Sequence, residues 1–515
     1  MFPPDNKSSG ESLISMWIMR NFRPPPDCPL QQTNRFDLQS VRLHAETQPN
    51  PHNRRNPIAT PSSIPPKPMP TSTPQNKSHV SSRWARLIRR AVLGGCVVAS
   101  TSSMSVASAN EPATSESVSS WTQFHGPSSY GDAGSGTLPS TWTEDDYAWK
   151  TQLNARHVGS PVVAGNQVFL LDTATDPADK SMKLDLVSID VSTGEVLWRR
   201  SHPFEERHRH SRNTAASSTP VVHEGHVYFA YGDAKHAELL AYDMKGEPVW
   251  SRDLGPWSGV HGFGASPVVI DSKLLLFNDQ QSKSLEAWQT PGKSSMLAFD
   301  PKTGETIWET PVTSTRPSYG VPTTDGKQLI CASTGDGVFG LDPENGKMLW
   351  SIKVFNKRCC SSPLVVGDLA IGTCGSGGGG NYLSAVRIPK NASDQPTEAF
   401  RITTAAPYVP TPAVKDNLMF LISDNGIATC IDWQNDGKKV WSKRLGGNFG
   451  ASPIIIGNQL LAISLDGTAH VIPASDSPSG AKSFDLGGPV GATPAFTDGR
   501  LFLRINDELC CLKTQ

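Results

Sequence analysis

Met296-Leu-Ala-Phe-Asp-Pro-Lys-Thr-Gly-Glu-Thr-Ile-Trp308 reads as a strand, a tight Asp-x-x-Thr-Gly turn and a second strand ending in tryptophan. Gly304 supplies the positive φ that such a hairpin turn needs. The phrase recurs as Leu186-Val-Ser-Ile-Asp-Val-Ser-Thr-Gly-Glu-Val-Leu-Trp198 and Val338-Phe-Gly-Leu-Asp-Pro-Glu-Asn-Gly-Lys-Met-Leu-Trp350. Weaker copies are Leu240-Ala-Tyr-Asp-Met-Lys-Gly-Glu-Pro-Val-Trp250 and Cys430-Ile-Asp-Trp-Gln-Asn-Asp-Gly-Lys-Lys-Val-Trp441. A period of this length signals a radial or solenoidal array before any chemistry is considered.

A second phrase runs in step with the first: Ser, Thr or Val, then Pro, then two further residues, mostly apolar. Its prolines stand at 161, 220, 267, 322, 363, 412, 453 and 494, with spacings of 59, 47, 55, 41, 49, 41 and 41. The basal unit is therefore about 41 residues with loop insertions, which fits four short strands per unit. Proline can open a strand because it need not donate a ladder bond there. Four-stranded units repeated radially predict an all-β fold, an eight-bladed β-propeller. The eighth unit ends at Gln515 one strand short, and the segment ending in Trp149 has no partner before it. Pairing the two closes the ring with an N-terminal strand and removes an open edge. The propeller is thus expected over 142–515, with a lead-in over 110–141. Trp149, Trp198, Trp250, Trp308, Trp350 and Trp441 are expected to dock between neighbouring blades, with Phe400 and Phe484 near the equivalent places in the fifth and seventh.

The N-terminal fifth has a different character. Residues 1–80 are rich in Pro, Asn, Ser and Gln without apolar periodicity, as in a disordered extension or one upstream of the true start. Residues 81–109 then have the layout of a secretory signal peptide. Arg83-Trp-Ala-Arg-Leu-Ile-Arg-Arg90 is basic, Ala91-Val-Leu-Gly-Gly-Cys-Val-Val-Ala99 is apolar, and Ala107-Ser-Ala109 is a small-x-small site. Cleavage after Ala109 is expected in preference to lipid anchoring at Cys96, which falls inside the apolar run. The balance of 47 basic and 48 acidic residues offers no field for nucleic acid. No apolar run is long enough for a transmembrane span.

The Ala-x-Asp-x-x-Thr-Gly-Glu-x-x-Trp phrase resembles the repeat of pyrroloquinoline-quinone (PQQ)-type β-propellers. These include quinoprotein alcohol dehydrogenases and BamB-like assembly lipoproteins of the outer membrane. A mature chain of roughly 400 residues, spent almost wholly on blades, looks closest to the BamB-like, non-catalytic branch. That resemblance implies an exported binding or assembly scaffold at the cell envelope, with a protein partner or small ligand and no cofactor. A monomer is expected. The alternative it implies is a PQQ-dependent dehydrogenase of alcohols or sugars, using the quinone with calcium. That family carries a disulfide between adjacent cysteines at the cofactor, and Cys359-Cys360 is the matching pair here. Cys510-Cys511 is also adjacent but lies in a plain strand, where successive side chains face opposite ways. Cys374 is a candidate partner for either Cys359 or Cys360.

Candidate binding residues emerge where the repeats disagree. The loop before each Ser/Thr-Pro strand should ring one mouth of the channel, and most positions there are small. The departures are His157, Asn213, His261, Tyr319, Arg358, Tyr408 and Asn448. Polar and aromatic groups at a concave axial mouth suit a ligand or peptide, although the same side chains could cap loop backbone. The glycine-rich run 375–380 lacks the Gly-Lys-Ser/Thr ending of a phosphate loop and reads as a flexible loop. His202, His208 and His210 show no fixed metal-ligand spacing, so no metal site is expected. N-terminal sequencing of the secreted protein should find Asn110 as the first residue; a chain beginning at Cys96 would mean a lipoprotein instead.

Overall fold

The computed structural model describes residues 120–514 apart from Arg207, Trp288 and Ala392. The extension, the leader with its cleavage site at Ala109, and Cys96 lie outside the described residues. Eight antiparallel four-stranded sheets form the blades of a β-propeller. Blade 1 is built from Val162–Ala164, Gln167–Thr175, Met182–Asp190 and Val196–Phe204, paired in sequence order. Blades 2 to 7 repeat the pattern, with innermost strands Val221–His223, Val268–Ile270, Thr323–Thr324, Leu364–Val366, Ala413–Lys415 and Ile454–Ile456. Blade 8 joins Ala495–Thr497, Arg500–Ile505 and Glu508–Lys513 to Tyr147–Gln152 from the front of the chain, Trp149 lying opposite Cys511. No helix among the described residues is long and apolar enough to cross a membrane.

Burial explains the two kinds of strand. The second and third strands of a blade are covered on both faces by neighbouring blades, so they are continuous apolar runs, such as the fully buried Ser295–Phe299. Outer strands alternate, and in Thr306–Pro311 only Trp308 is buried. All of the docking indoles except that of Trp350 donate into the next blade. Trp149 Nε1 donates to Val191 O at 2.9 Å, Trp250 to Pro301 O at 3.0 Å and Trp308 to Pro343 O at 3.0 Å. A Cβ on Gly304 would lie 2.6 Å from the Trp250 ring, and its φ is +70°, so glycine is required there twice over. Trp350 differs: its Nε1 bonds Gln328 of its own blade at 2.6 Å.

The Ser/Thr-Pro phrase has a second purpose. The backbone N–H of each Ser or Thr donates to the hydroxyl of the equivalent residue in the next blade. These bonds run Ser160 to Thr219, Thr219 to Ser266, Ser362 to Thr411, Thr411 to Ser452 and Ser452 to Thr493, at 2.9–3.2 Å. Val321 N–H likewise donates to Ser362 Oγ at 3.0 Å, and Thr493 N–H returns to Ser160 Oγ at 3.1 Å across the closure. The circuit is interrupted where blade 4 carries Val321, which has no hydroxyl to receive the Ser266 N–H.

Ring closure has a third device. Arg504 of blade 8 is fully buried and donates to Leu171 O at 2.8 Å and Ala155 O at 3.2 Å, with its Nη2 3.7 Å from Asp172 of blade 1. Burial lowers its pKa to about 10.

The lead-in is more than a connector. From Trp121 onward it lies against the far ends of the inner strands. Trp121 forms a two-way backbone bridge with Val163 of blade 1, and Thr122 O accepts from Val222 N of blade 2. Tyr130 donates its hydroxyl to Val365 O and accepts at its carbonyl from Val414 N. Asp132 bridges Ile455 in parallel, and Gly136 is in contact with Phe496 of blade 8. His125, fully enclosed, sets its ring nitrogens 3.0 Å from Ser129 O and 2.9 Å from Pro453 O.

The circuit can be tested in both directions. Thr411→Val strands the buried Ser362 N–H and should cost about 1–3 kcal/mol, whereas Val321→Thr should gain about 0.5–1.5 kcal/mol by completing the ring. Thermal and denaturant melts of the two variants, compared with the parent, check both signs.

Candidate functional site

Each inner strand runs from the loop mouth, where its Ser or Thr sits, towards the end covered by the lead-in. Between them lies an axial cavity of about 840 Å³. Ser160, Thr219, Ser266, Ser362, Thr411, Ser452 and Thr493 form its waist, and Phe124 of the lead-in contributes to its lining from below. The hydroxyl circuit that joins the blades is therefore also the cavity wall.

The rim is cationic. Arg156, Arg212, Arg316 and Arg358 line the cavity together with His210 and His261, and no Asp or Glu is among the lining residues. Arg212 lies 3.6 Å from Asp424, which stands just outside the lining and accepts from Tyr408 N at 2.7 Å. Burial raises the Asp424 pKa. Arg358 is the inner cation, only 7% exposed, and its Nε has no hydrogen-bond partner. Its neighbours are Tyr319, Tyr408 and Cys360 rather than a carboxylate. A guanidinium removed from water without a counter-ion is expensive and favours an anion beside it.

His261 stacks on His210, with ring centres 5.1 Å apart and planes 6° from parallel. Its pKa is lowered to about 4, first by burial and then by Arg358, His210, Arg316 and His208. It is therefore neutral near pH 7.

Of the mouth residues expected from sequence, Asn213, His261, Tyr319, Arg358 and Tyr408 line the cavity. Asn213 spends its side chain on loop support, donating to His261 O at 2.7 Å and Phe263 O at 3.1 Å. Tyr319 hydroxyl donates to Gly262 O at 3.0 Å. His157 and Asn448 are not in the lining. His157 is buried beneath the rim, 2.9 Å from Thr173 Oγ1 and 3.8 Å from Asp172, and burial lowers its pKa to about 3. Its neighbour Arg156 faces the cavity instead. Asn448 is exposed, and its carbonyl accepts from Leu465 N at 2.6 Å. Sequence comparison between repeats missed Arg156 and Arg316, which stand in the same pre-strand loops as the residues it picked out, His210 and Arg212 further upstream in theirs, and also Ser376 of the glycine-rich run. Asp279 supports the rim from behind: it accepts from Ser294 Oγ and Ser318 N, both at 2.8 Å, and burial raises its pKa to about 6.

The two candidate cofactor cysteines are separated. Cys359 is fully buried in the core between blades 4 and 5, while Cys360 lines the cavity beside Tyr408 and Arg358. Burial pushes the Cys360 thiol up to about 12. The donor set fits a calcium-bound quinone poorly. Calcium needs oxygen ligands, carboxylates above all, and the lining offers hydroxyl and amide oxygens beside four arginines but no carboxylate.

A family model described as outer membrane protein assembly factor BamB matches residues 132–290 and 292–385. No curated protein matches the chain significantly. Among solved structures, a europium-containing methanol dehydrogenase is similar, at 12% identity and a TM-score of 0.54, covering 75% of this chain and 89% of that one. The quinohemoprotein alcohol dehydrogenase from Comamonas testosteroni gives 13% and 0.53, covering 76% and 80%. BamB from Moraxella catarrhalis gives 13% and 0.49, covering 70% and 97%. At these identities the likeness to solved structures is one of fold. With its eight four-stranded blades and its repeated Asp-x-x-Thr-Gly hairpins, the chain is a PQQ-type β-propeller repeat protein.

Proposed function

We propose that this protein is an exported, non-catalytic binding propeller of the cell envelope, whose axial cavity holds an anionic group of its ligand or partner. The observation that carries the reading is the cavity lining, four arginines and two histidines without a carboxylate. Arg358 is the anchor, because it is buried in the cavity wall and its Nε is free to donate. Arg156, Arg212 and Arg316, exposed at the rim, draw the negative group in. An acidic side chain or terminal carboxylate of a docking protein fits this arrangement, as does a small polycarboxylate. Nothing in the lining pairs an acid with a base or presents an activated nucleophile, as a catalytic cavity would need. The family description, an outer membrane assembly factor, supports the scaffold side of the reading.

Calorimetric titration with citrate and with an octaglutamate peptide tests this directly. At least one should bind, weakening as salt rises, and Arg358→Gln should reduce affinity by roughly tenfold to a hundredfold, the 1.5–3 kcal/mol of a charge-assisted hydrogen bond. No binding of either probe, or an unchanged affinity in Arg358→Gln with the fold intact, overturns the reading. Stoichiometric uptake of PQQ with calcium, accompanied by dye reduction with an alcohol or sugar, would replace it with the dehydrogenase alternative.

The pH dependence has a definite sign. An anion bound beside His261 favours its imidazolium, so binding is coupled to proton uptake. Affinity for citrate should therefore rise as pH falls from 7 towards 5, approaching the His261 pKa of about 4, and His261→Gln should flatten that rise once the ligand's own ionisation is subtracted.

A further inference from the structure

Arg358 pairs with Gly375 in an isolated antiparallel bridge, with Gly375 N donating to Arg358 O at 2.9 Å. One step further in the same register, Cys359 falls opposite Cys374. The hydrogen bonds on either side agree with that placement. Cys359 O turns away to accept from Tyr319 N at 3.0 Å, and Cys374 is paired on its other side with Tyr382. Cys359 and Cys374 thus occupy a non-hydrogen-bonded cross-strand pair, where Cα atoms approach to about 4.5 Å and side chains lie close on one face. That separation is at the short end of the range a disulfide spans, about 4.4–6.8 Å. Both side chains are fully buried in one core cluster between blades 4 and 5. The nearby Cys374 adds to the burial that raises the Cys359 pKa. Alternation along the strand sends Cys360 the other way, into the cavity.

We propose that Cys359 and Cys374, thiols in this structure, are a disulfide site, closed when the chain folds under oxidising conditions. The two thiols lose two protons and two electrons as the S–S bond forms. The electron pair reduces a donor disulfide, such as glutathione disulfide or an oxidised thiol–disulfide oxidoreductase, to two thiols. Because both sulfurs are enclosed in the folded protein, the exchange takes place during folding. The bond ties the Arg358 strand to the strand that enters the Ser376–Gly377 rim, so two cavity-lining segments become one covalent unit. Cys360 remains a free thiol facing the cavity. The inference stands on backbone register and does not depend on what the cavity binds.

The test is to refold the full chain in a glutathione redox buffer, alkylate it, and digest without reduction using a protease that cuts between the two positions, for example after Leu369. Mass spectrometry should show the Cys359 peptide joined to the Cys374 peptide. The link should persist in Cys360→Ser and disappear in Cys359→Ser and Cys374→Ser. The oxidised parent should melt a few degrees above the reduced parent, and Cys374→Ser should lose that difference. A link that disappears in Cys360→Ser, or free Cys359 and Cys374 in refolded protein of native circular dichroism, overturns the proposal.

Discussion

The bond from a backbone N–H to the hydroxyl of the next blade is what turns eight separate hairpin sheets into a ring. Inner strands of only two or three residues cannot hold neighbouring blades in register through apolar contact alone, because apolar contact has no direction. A hydroxyl placed immediately before a proline supplies the direction, and the proline keeps the adjoining backbone from competing as a donor. Repetition then matters more than strength. Each bond is modest on its own, but it recurs at every joint except that between Ser266 and Val321, so an error in the pitch of one blade is felt by its neighbours. The Arg504 contacts and the Trp149 strand stand at the one joint where the chain is not continuous.

Periodicity made most of this fold readable from sequence. The hairpin phrase ending in tryptophan and the Ser/Thr-Pro phrase share a common unit, and the missing strand at Gln515 matches the surplus strand at Trp149. The role of the hydroxyls was also written there, since the position is Ser or Thr except at Val321, but a reading that explained the proline left them unexplained. The lead-in was opaque for a different reason. Residues 121–138 occur once, so no second copy reveals which positions are constrained, and their aromatic residues among glycines and serines hinted only that something had to bury them.

The site was legible in proportion to how closely its loops follow the repeat. Tyr319, Arg358 and Tyr408 sit close before the prolines that open their inner strands and face the axis. His157 sits at a similar offset but turns under the rim towards Thr173, leaving its neighbour Arg156 outward. One residue of loop twist decides between the two, and composition does not encode it. His210 and Arg212 arrive from an insertion whose path depends on stacking against His261. The positive charge of the cavity lining is therefore a property of the assembled ring, gathered from several blades and visible in none of them singly.

Phe124 lines the axial cavity at the end where residues 121–136 lie against the inner strands, so that end is lined by a segment from outside the repeats. The two ends of the cavity therefore differ in kind, with charged loops at one and the lead-in at the other.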